Sequence, residues 1–300
     1  MLRRSGSIRL GAVLIFCAAW CGCATERVIV AGDDQVTVPG RNVVLTAKVQ
    51  VRSLFLEDIK NQPVEFRLVS APERVRLCVL EKGRTDRDGK VRAVMEVLEA
   101  GRYVVAIRYP GDDRHLPNED VSMVLAVRPG EPVVILDVDN TLTNENWLHR
   151  DPEPAPYDGD TVRVVNELAR RYKVVYLSAR PKPLHTLTRK WLAKYGFPEG
   201  PVLLWYPSTW RWLRPSKFKQ DQLTALRRMG VNVVAGVSNT EEDIEAYEKA
   251  GILPIILGKR ERDAVHARDW NEIGRMLLEK DGKVLIHGET SSPPVIGRPR

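Results

Sequence analysis

Cysteine is scarce in this chain and badly spread: Cys17, Cys21 and Cys23 crowd the first two dozen residues, and Cys78 alone lies beyond them. Once the first three leave with a leader or are modified, no intramolecular disulfide can form, so the fold must rest on a hydrophobic core. Cys78 stands in Val75-Arg76-Leu77-Cys78-Val79-Leu80 and is expected to be a buried strand residue. A long apolar run is missing as well. The longest, Leu10 to Trp20, is too short to span a bilayer. No run of Lys and Arg is interleaved with aromatics. The net charge of +7 is diffuse and partly terminal, in Arg3, Arg4, Arg9, Arg298 and Arg300, which speaks against nucleic acid and leaves a solvated basic surface open to other anions. There is no internal repeat, and no sustained helical period before residue 129.

The N-terminus is the first positive signal. Three arginines precede a short apolar core, the layout of an export signal. Gly22-Cys23-Ala24 resembles the end of a bacterial lipoprotein signal, in which Cys23 is diacylated and becomes the mature N-terminus. Trp20 departs from the Leu usual three positions before that cysteine. The expectation is a signal peptide over 1–23 and an exported protein held by a lipid anchor, on the periplasmic side of an outer membrane or at the cell surface.

Three hundred residues allow two domains. From Glu26 to Arg128 the pattern is short strands and turns. Val43 to Val49, Val64 to Val69 and Tyr103 to Tyr109 alternate as half-buried strands do. Thr85-Asp86-Arg87-Asp88-Gly89-Lys90 and Pro110-Gly111-Asp112-Asp113 are turn clusters. About seven such strands predict a sandwich over 24–130. The order Pro-Val-x-Phe, Thr-Asp-x-Asp-Gly and Gly-x-Tyr-x-Val resembles bacterial Ig-like repeats. Asp86, Asp88 and Asp112 are read as turn formers rather than calcium ligands.

Pro129-Gly130-Glu131-Pro132 marks a linker, after which strands alternate with helices. Strands are expected at Val133–Leu136, Lys173–Leu177, Val202–Trp205, Val231–Val237 and, as the last, Gly251–Leu257. Helices are expected near Asp160–Arg171, Leu184–Tyr195, Ser216–Met229 and Glu241–Ala250. This alternation predicts a doubly wound parallel α/β sheet over 131–280. A Pro-, Ser- and Gly-rich tail follows over 281–300.

The first strand of that half runs into Asp137-Val138-Asp139-Asn140-Thr141. Ligands of open parallel sheets collect beyond the carboxyl ends of the strands. Two carboxylates there can share a hard cation, and one can attack phosphorus. Asp-x-Asp-x-Thr after an apolar strand resembles the first motif of the haloacid-dehalogenase-like phosphohydrolases. Further segments follow in the family's order. Tyr176-Leu177-Ser178-Ala179-Arg180-Pro181 carries the second motif, Phe218-Lys219 the third, and Asn239-x-x-x-Asp243 the fourth, with Ser238 where Gly is usual. With Trp191 to Gly200, these details resemble the lipin-like branch, which acts on phosphatidic acid and includes members that only bind lipid.

That resemblance implies roles. Asp137 would be the nucleophile and Asp139 the proton donor and acceptor. Thr141, Ser178 and Lys219 would hold the phosphoryl group, Lys217 being the alternative lysine. Magnesium would be served by Asp137, Asp139, Asn239 and Asp243. Arg180 could grip phosphate or form a structural ion pair. A second reading remains open, a weak or inactive module that binds phospholipid or an envelope component, because Asn140 and Ser238 depart from the usual pattern. Trp205, Trp210, Trp212, Arg211 and Arg214 could face a lipid surface or pack internally. Mass spectrometry of the mature N-terminus checks the leader: a diacylated chain starting at Cys23 is expected, and an unmodified chain starting elsewhere removes the anchor.

Overall fold

The computed structural model describes residues 26–52, 56–145, 154–205, 215–258 and 264–278. The leader with Cys23, the segment 206–214 with Trp210, Trp212, Arg211 and Arg214, and the tail lie outside the described residues. In the first half, alternation along each strand decides which side chains meet. The strands are β1 (Val28–Gly32), β2 (Gln35–Thr37), β3 (Arg41–Arg52), β4 (Leu56–Asp58), β5 (Pro63–Ser70), β6 (Val79–Arg84), β7 (Lys90–Val97), β8 (Gly101–Tyr109) and β9 (Asn118–Ala126). One sheet is ordered β1-β3-β4, with β7 also paired to β3, and the other β2-β9-β8-β5-β6. Every second residue of β7 (Val91, Ala93, Met95, Val97) and of β8 (Tyr103, Val105, Ile107, Tyr109) is buried, the period-2 pattern of a sheet with one dry face. These residues share one core with Leu45, Val49, Phe66 and Leu68, so the two sheets pack face to face.

Turn chemistry accounts for the aspartates. Asp86 Oδ1 accepts from the amides of Asp88 and Lys90, each at 2.9 Å. Gly89 has φ +66°, and a Cβ there would meet the Val49 carbonyl at 2.7 Å, so glycine is required. Cys78 is a correction: it is exposed and precedes β6 rather than lying buried in it. β6 is an edge strand of largely exposed residues, so the apolar run around Cys78 does not mark a core strand.

The second half comprises β10 (Pro132–Leu136), α1 (Thr161–Leu168), β11 (Lys173–Pro181), a 3-10 turn (Lys182–Leu184), α2 (His185–Lys194), β12 (Val202–Trp205), α3 (Pro215–Arg228), β13 (Asn232–Ser238), α4 (Glu241–Lys249), β14 (Leu253–Leu257), β15 (Val265–Ala267) and α5 (Trp270–Leu278). Its sheet is ordered β12-β11-β10-β13-β14-β15, and each neighbouring pair is parallel. Val134 and Leu136 point to one side, covered by α1, α2 and α5. Val133 and Ile135 point to the other, covered by α3 and α4. Both faces are therefore dry, which is why these strands read as continuous apolar runs. The expectation that Gly251–Leu257 is the last strand is corrected by β15 and α5. The missed helix buries Trp270, Ile273, Gly274 and Leu277, spaced as one helical face.

A charged seam joins the halves. His185, at the start of α2, is 1% exposed and lies between two carboxylates. Its Nδ1 is 3.1 Å from Asp120 Oδ2, a hydrogen bond, and its Nε2 is 3.2 Å from Asp34 Oδ1, an ion-pair contact off the line of a hydrogen bond. Asp120 also accepts from the Gly32 amide and the Thr186 hydroxyl, each at 2.9 Å. Asp34 accepts from the amides of Met123 at 2.7 Å and Val202 at 2.8 Å, and from Arg189 Nη1 at 3.3 Å.

Burial alone would discharge the His185 ring, but Asp34 and Asp120 outweigh it and hold the imidazolium up to about 9. The ring is thus more basic folded than unfolded, where it titrates near 6.5. Its contribution is fully present below about pH 6.5 and lost as pH rises through about 9, a difference on the order of 3 kcal/mol. Thermal melts should show stability falling between pH 6 and pH 9.5, and His185→Gln should flatten that fall. Equal slopes in the two proteins would contradict this account.

Candidate functional site

β10 is central, with β11 on one side and β13 on the other, so the chain leaves it in both directions and opens a crevice at its carboxyl end. Asp137 is the first residue past that end, and its amide donates to the Val237 carbonyl of β13 at 3.0 Å. The turn then closes on the Val138 carbonyl, which accepts from the amides of Leu142 at 2.9 Å and Thr143 at 3.0 Å. Asn140 sits at φ +55°, a left-handed conformation that Asn adopts more readily than most residues other than Gly. Asn140, which departs from the usual pattern of the first motif, is therefore conformationally accommodated.

Lys219 reaches this crevice from α3. It is 5% exposed, and its Nζ donates to Asp137 Oδ1 at 2.7 Å and to Asp243 Oδ2 at 2.5 Å. Lys217 points outward and pairs with Asp221 at 3.2 Å. Of the two lysines, Lys219 is thus the one beside Asp137. Ser238, at the end of β13, donates to Asp243 Oδ2 at 2.6 Å. The residue standing where Gly is usual helps to hold that carboxylate. Thr141 Oγ1 lies 3.3 Å from both Asp137 Oδ2 and Asn239 Oδ1.

Asp139, two residues beyond Asp137, turns to β11. Arg180 donates to it through Nε, at 3.0 and 3.2 Å, and through Nη2 at 2.9 Å, while Ser178 Oγ donates to its Oδ2 at 3.2 Å. The far side of the guanidinium donates from Nη1 to Thr188 Oγ1 of α2 at 3.2 Å. Arg180 and Thr188 are 5% and 0% exposed. Thr188 went unseen in the sequence, where a helix threonine without a motif carries no signal.

Charge explains the titration of the centre. Burial pushes the Asp137 carboxyl up to about 6, against the pull of Lys219 and helped by repulsion from Asp243. Burial would also discharge Lys219, but Asp137 and Asp243 together hold it protonated, above its ordinary range. The two move in the same direction for opposite reasons: one ammonium is shared by two carboxylates, so the cation is over-supplied with partners and Asp137 is under-supplied. Tyr247 packs against Gly236, where a Cβ would meet its ring at 2.7 Å, and its buried hydroxyl has no hydrogen-bond partner among the described residues.

The proposed metal set is brought together only in part. Among the described residues no trio of His, Cys, Asp or Glu side chains is arranged to hold a metal ion. Asp139 is drawn to Arg180 and Asp243 to Lys219 and Ser238. What remains is an oxygen pair, Asp137 Oδ2 and Asn239 Oδ1, converging on Thr141. Such a pair fits magnesium, which usually keeps several waters and takes one or two carboxylates with substrate phosphate.

Residues 134–255 match the family model described as the LNS2 domain of PITM 1-3, which supports reading this segment as lipin-like. No curated protein matches the chain. Among solved structures, the Pnkp1/Rnl/Hen1 RNA repair complex is similar over 42% of this chain, at 19% identity and TM-score 0.36; the match spans 42% of that chain. A haloacid-dehalogenase-superfamily hydrolase from Geobacter sulfurreducens PCA is similar over 49% of this chain and 96% of its own, at 14% identity and TM-score 0.35. The PKD domain of human KIAA0319 covers 37% of this chain and 89% of its own, at 21% identity and TM-score 0.25.

The shared ammonium makes opposite predictions for its partners. Lys219→Met leaves two buried carboxylates face to face and should destabilise the protein by about 3–5 kcal/mol at pH 7.5. The Asp137 carboxyl is raised on folding, so its ionisation costs stability from about pH 4 upward and fully above about pH 6. Asp137→Asn should therefore be more favourable, relative to the parent, at pH 7.5 than at pH 5. Denaturant unfolding of the three proteins at both pH values checks this, and a Lys219→Met protein as stable as its parent would contradict it.

Proposed function

We propose that the α/β half, 131–280, hydrolyses phosphomonoesters through an aspartyl-phosphate at Asp137. One observation carries this reading. A carboxylate at the sheet's switch point has Oδ1 held by the buried Lys219, while Oδ2 faces the Thr141 hydroxyl, which also lies within 3.3 Å of the Asn239 carboxamide oxygen. With its carboxyl raised to about 6, Asp137 is ionised at neutral pH yet more basic than an ordinary carboxylate, which suits a nucleophile.

In the first step an Asp137 oxygen bonds to phosphorus, the ester P–O bond breaks, and Asp139 gives a proton to the leaving oxygen. In the second, Asp139 takes a proton from water as that water bonds to phosphorus and the Asp137–phosphorus link breaks. The balance is ester plus water to alcohol plus inorganic phosphate. Lys219 neutralises negative charge on the transferred group, and Ser178 donates to its oxygens. Magnesium, held by Asp137 and Asn239, would add charge neutralisation when bound.

The substrate class favoured is a phospholipid such as phosphatidic acid. The lipin-like match over 134–255 supports it, as does a leader that would place the protein at a membrane. In this reading an Ig-like sandwich, 24–130, is a spacer between a lipid-modified Cys23 and the catalytic half. A second reading, a non-catalytic phospholipid-binding module, draws on the Arg180 grip, which engages both oxygens of Asp139.

The test is turnover of p-nitrophenyl phosphate and phosphatidic acid, with and without magnesium. Magnesium-dependent activity is expected, with a loss of several orders of magnitude in Asp137→Asn. Activity surviving that substitution would exclude the mechanism. Lipid binding without turnover on either ester would favour the second reading.

A further inference from the structure

We propose that Arg180 is an exchangeable phosphoryl-binding residue: its Nε/Nη2 edge, now on Asp139, passes to the substrate's phosphoryl oxygens, with Nη1 anchored on Thr188 throughout. This rests on the hydrolase reading and names a residue that the general scheme of nucleophile, proton carrier, hydroxyl and lysine does not use.

Three observations carry it. The first is the face of Arg180 that is engaged. Nε and Nη2 contact the two oxygens of Asp139 at 2.9 to 3.2 Å, the fork that a guanidinium offers equally to a carboxylate or a phosphate. The second is occupancy. Ser178 also donates to Asp139, at 3.2 Å, so two donors at the end of β11 are both directed onto the carboxylate that should face the leaving group. A carboxylate whose two oxygens accept from Arg180 is not presented to a leaving oxygen. Transfer of the fork to a phosphoryl group relieves Asp139 of the guanidinium and provides the phosphoryl group with a bidentate partner in one exchange.

The third is the anchor. Thr188 is fully buried and accepts from Nη1, so the guanidinium can release Asp139 without losing its place. α2, which carries Thr188, is itself docked by His185, Thr186 and Arg189 on Asp34 and Asp120. Asp139 has a side chain 13% exposed against 6% for Arg180, so the carboxylate is the partner on the solvent side, where an arriving anion would compete with it.

Isothermal titration calorimetry with inorganic phosphate tests the exchange, using the full chain, together with steady-state kinetics on p-nitrophenyl phosphate. Arg180→Gln should weaken phosphate binding at least tenfold and raise KM by a similar factor, with a smaller change in kcat. Arg180→Lys should recover only part of the loss, because a point charge cannot supply the fork. Thr188→Val keeps the packing volume and removes only the anchor, so a several-fold weaker phosphate affinity is expected if Arg180→Gln fails to fold. A structural role for Arg180 predicts the reverse split, unchanged phosphate affinity with a fallen kcat. That outcome, in a wild type that hydrolyses phosphate esters, would overturn the exchange and leave the hydrolase reading standing. A wild type that neither hydrolyses esters nor binds inorganic phosphate would overturn both.

Discussion

One ammonium shared by two buried carboxylates organises the carboxyl end of the second sheet. Lys219 comes from α3, Asp137 from the end of β10 and Asp243 from the first turn of α4. Isolated in the same dry crevice, each of these charges would be intolerable. Together they fix α3, β10 and α4 relative to one another with a precision that apolar packing alone does not impose. The negative charge left over stays on Asp137, which has one cation to divide with a neighbour. Asn239, in the loop between β13 and α4, adds a neutral oxygen, so it does not deepen that imbalance.

The parts of this arrangement that lay along one strand or one helix were legible in the sequence. Asp137, Ser178, Lys219 and Asn239 each follow a continuous apolar strand or open a helix, and parallel topology carries strand ends to one edge. Val133 to Leu136 announced burial on both faces because no polar residue interrupts them. Other elements gave weaker signals. β15 has three residues, too few for a period. α5 has a readable apolar stripe, yet nothing in motif order asked for a helix there. Around Cys78 an apolar run belongs to a sheet margin, where alternation fails and composition misleads.

Contacts across long separations were invisible for a different reason. Arg189 meets Asp34 across 155 residues and His185 meets Asp120 across 65. No local pattern encodes such a meeting, and aspartates in turns have a cheaper local explanation. The same applies to Thr188, whose importance depends on a guanidinium that arrives from β11. The residues at the strand ends were visible in the sequence, and the side chains that dock α2 against the sandwich were not.

The amide of Val202 points at Asp34 of the sandwich, and Val202 opens β12, the outermost strand on its side of the six-stranded sheet. A margin strand normally offers unsatisfied donors to any passing polypeptide, which is how sheets extend into aggregates. Here the neighbouring half of the same molecule takes one of those donors with a buried carboxylate. The sandwich therefore acts as a selvedge for the six-stranded sheet, a finished border woven from other cloth. The two halves are not interchangeable modules, since a different partner at that border would leave the fabric free to fray or to be stitched to its neighbour.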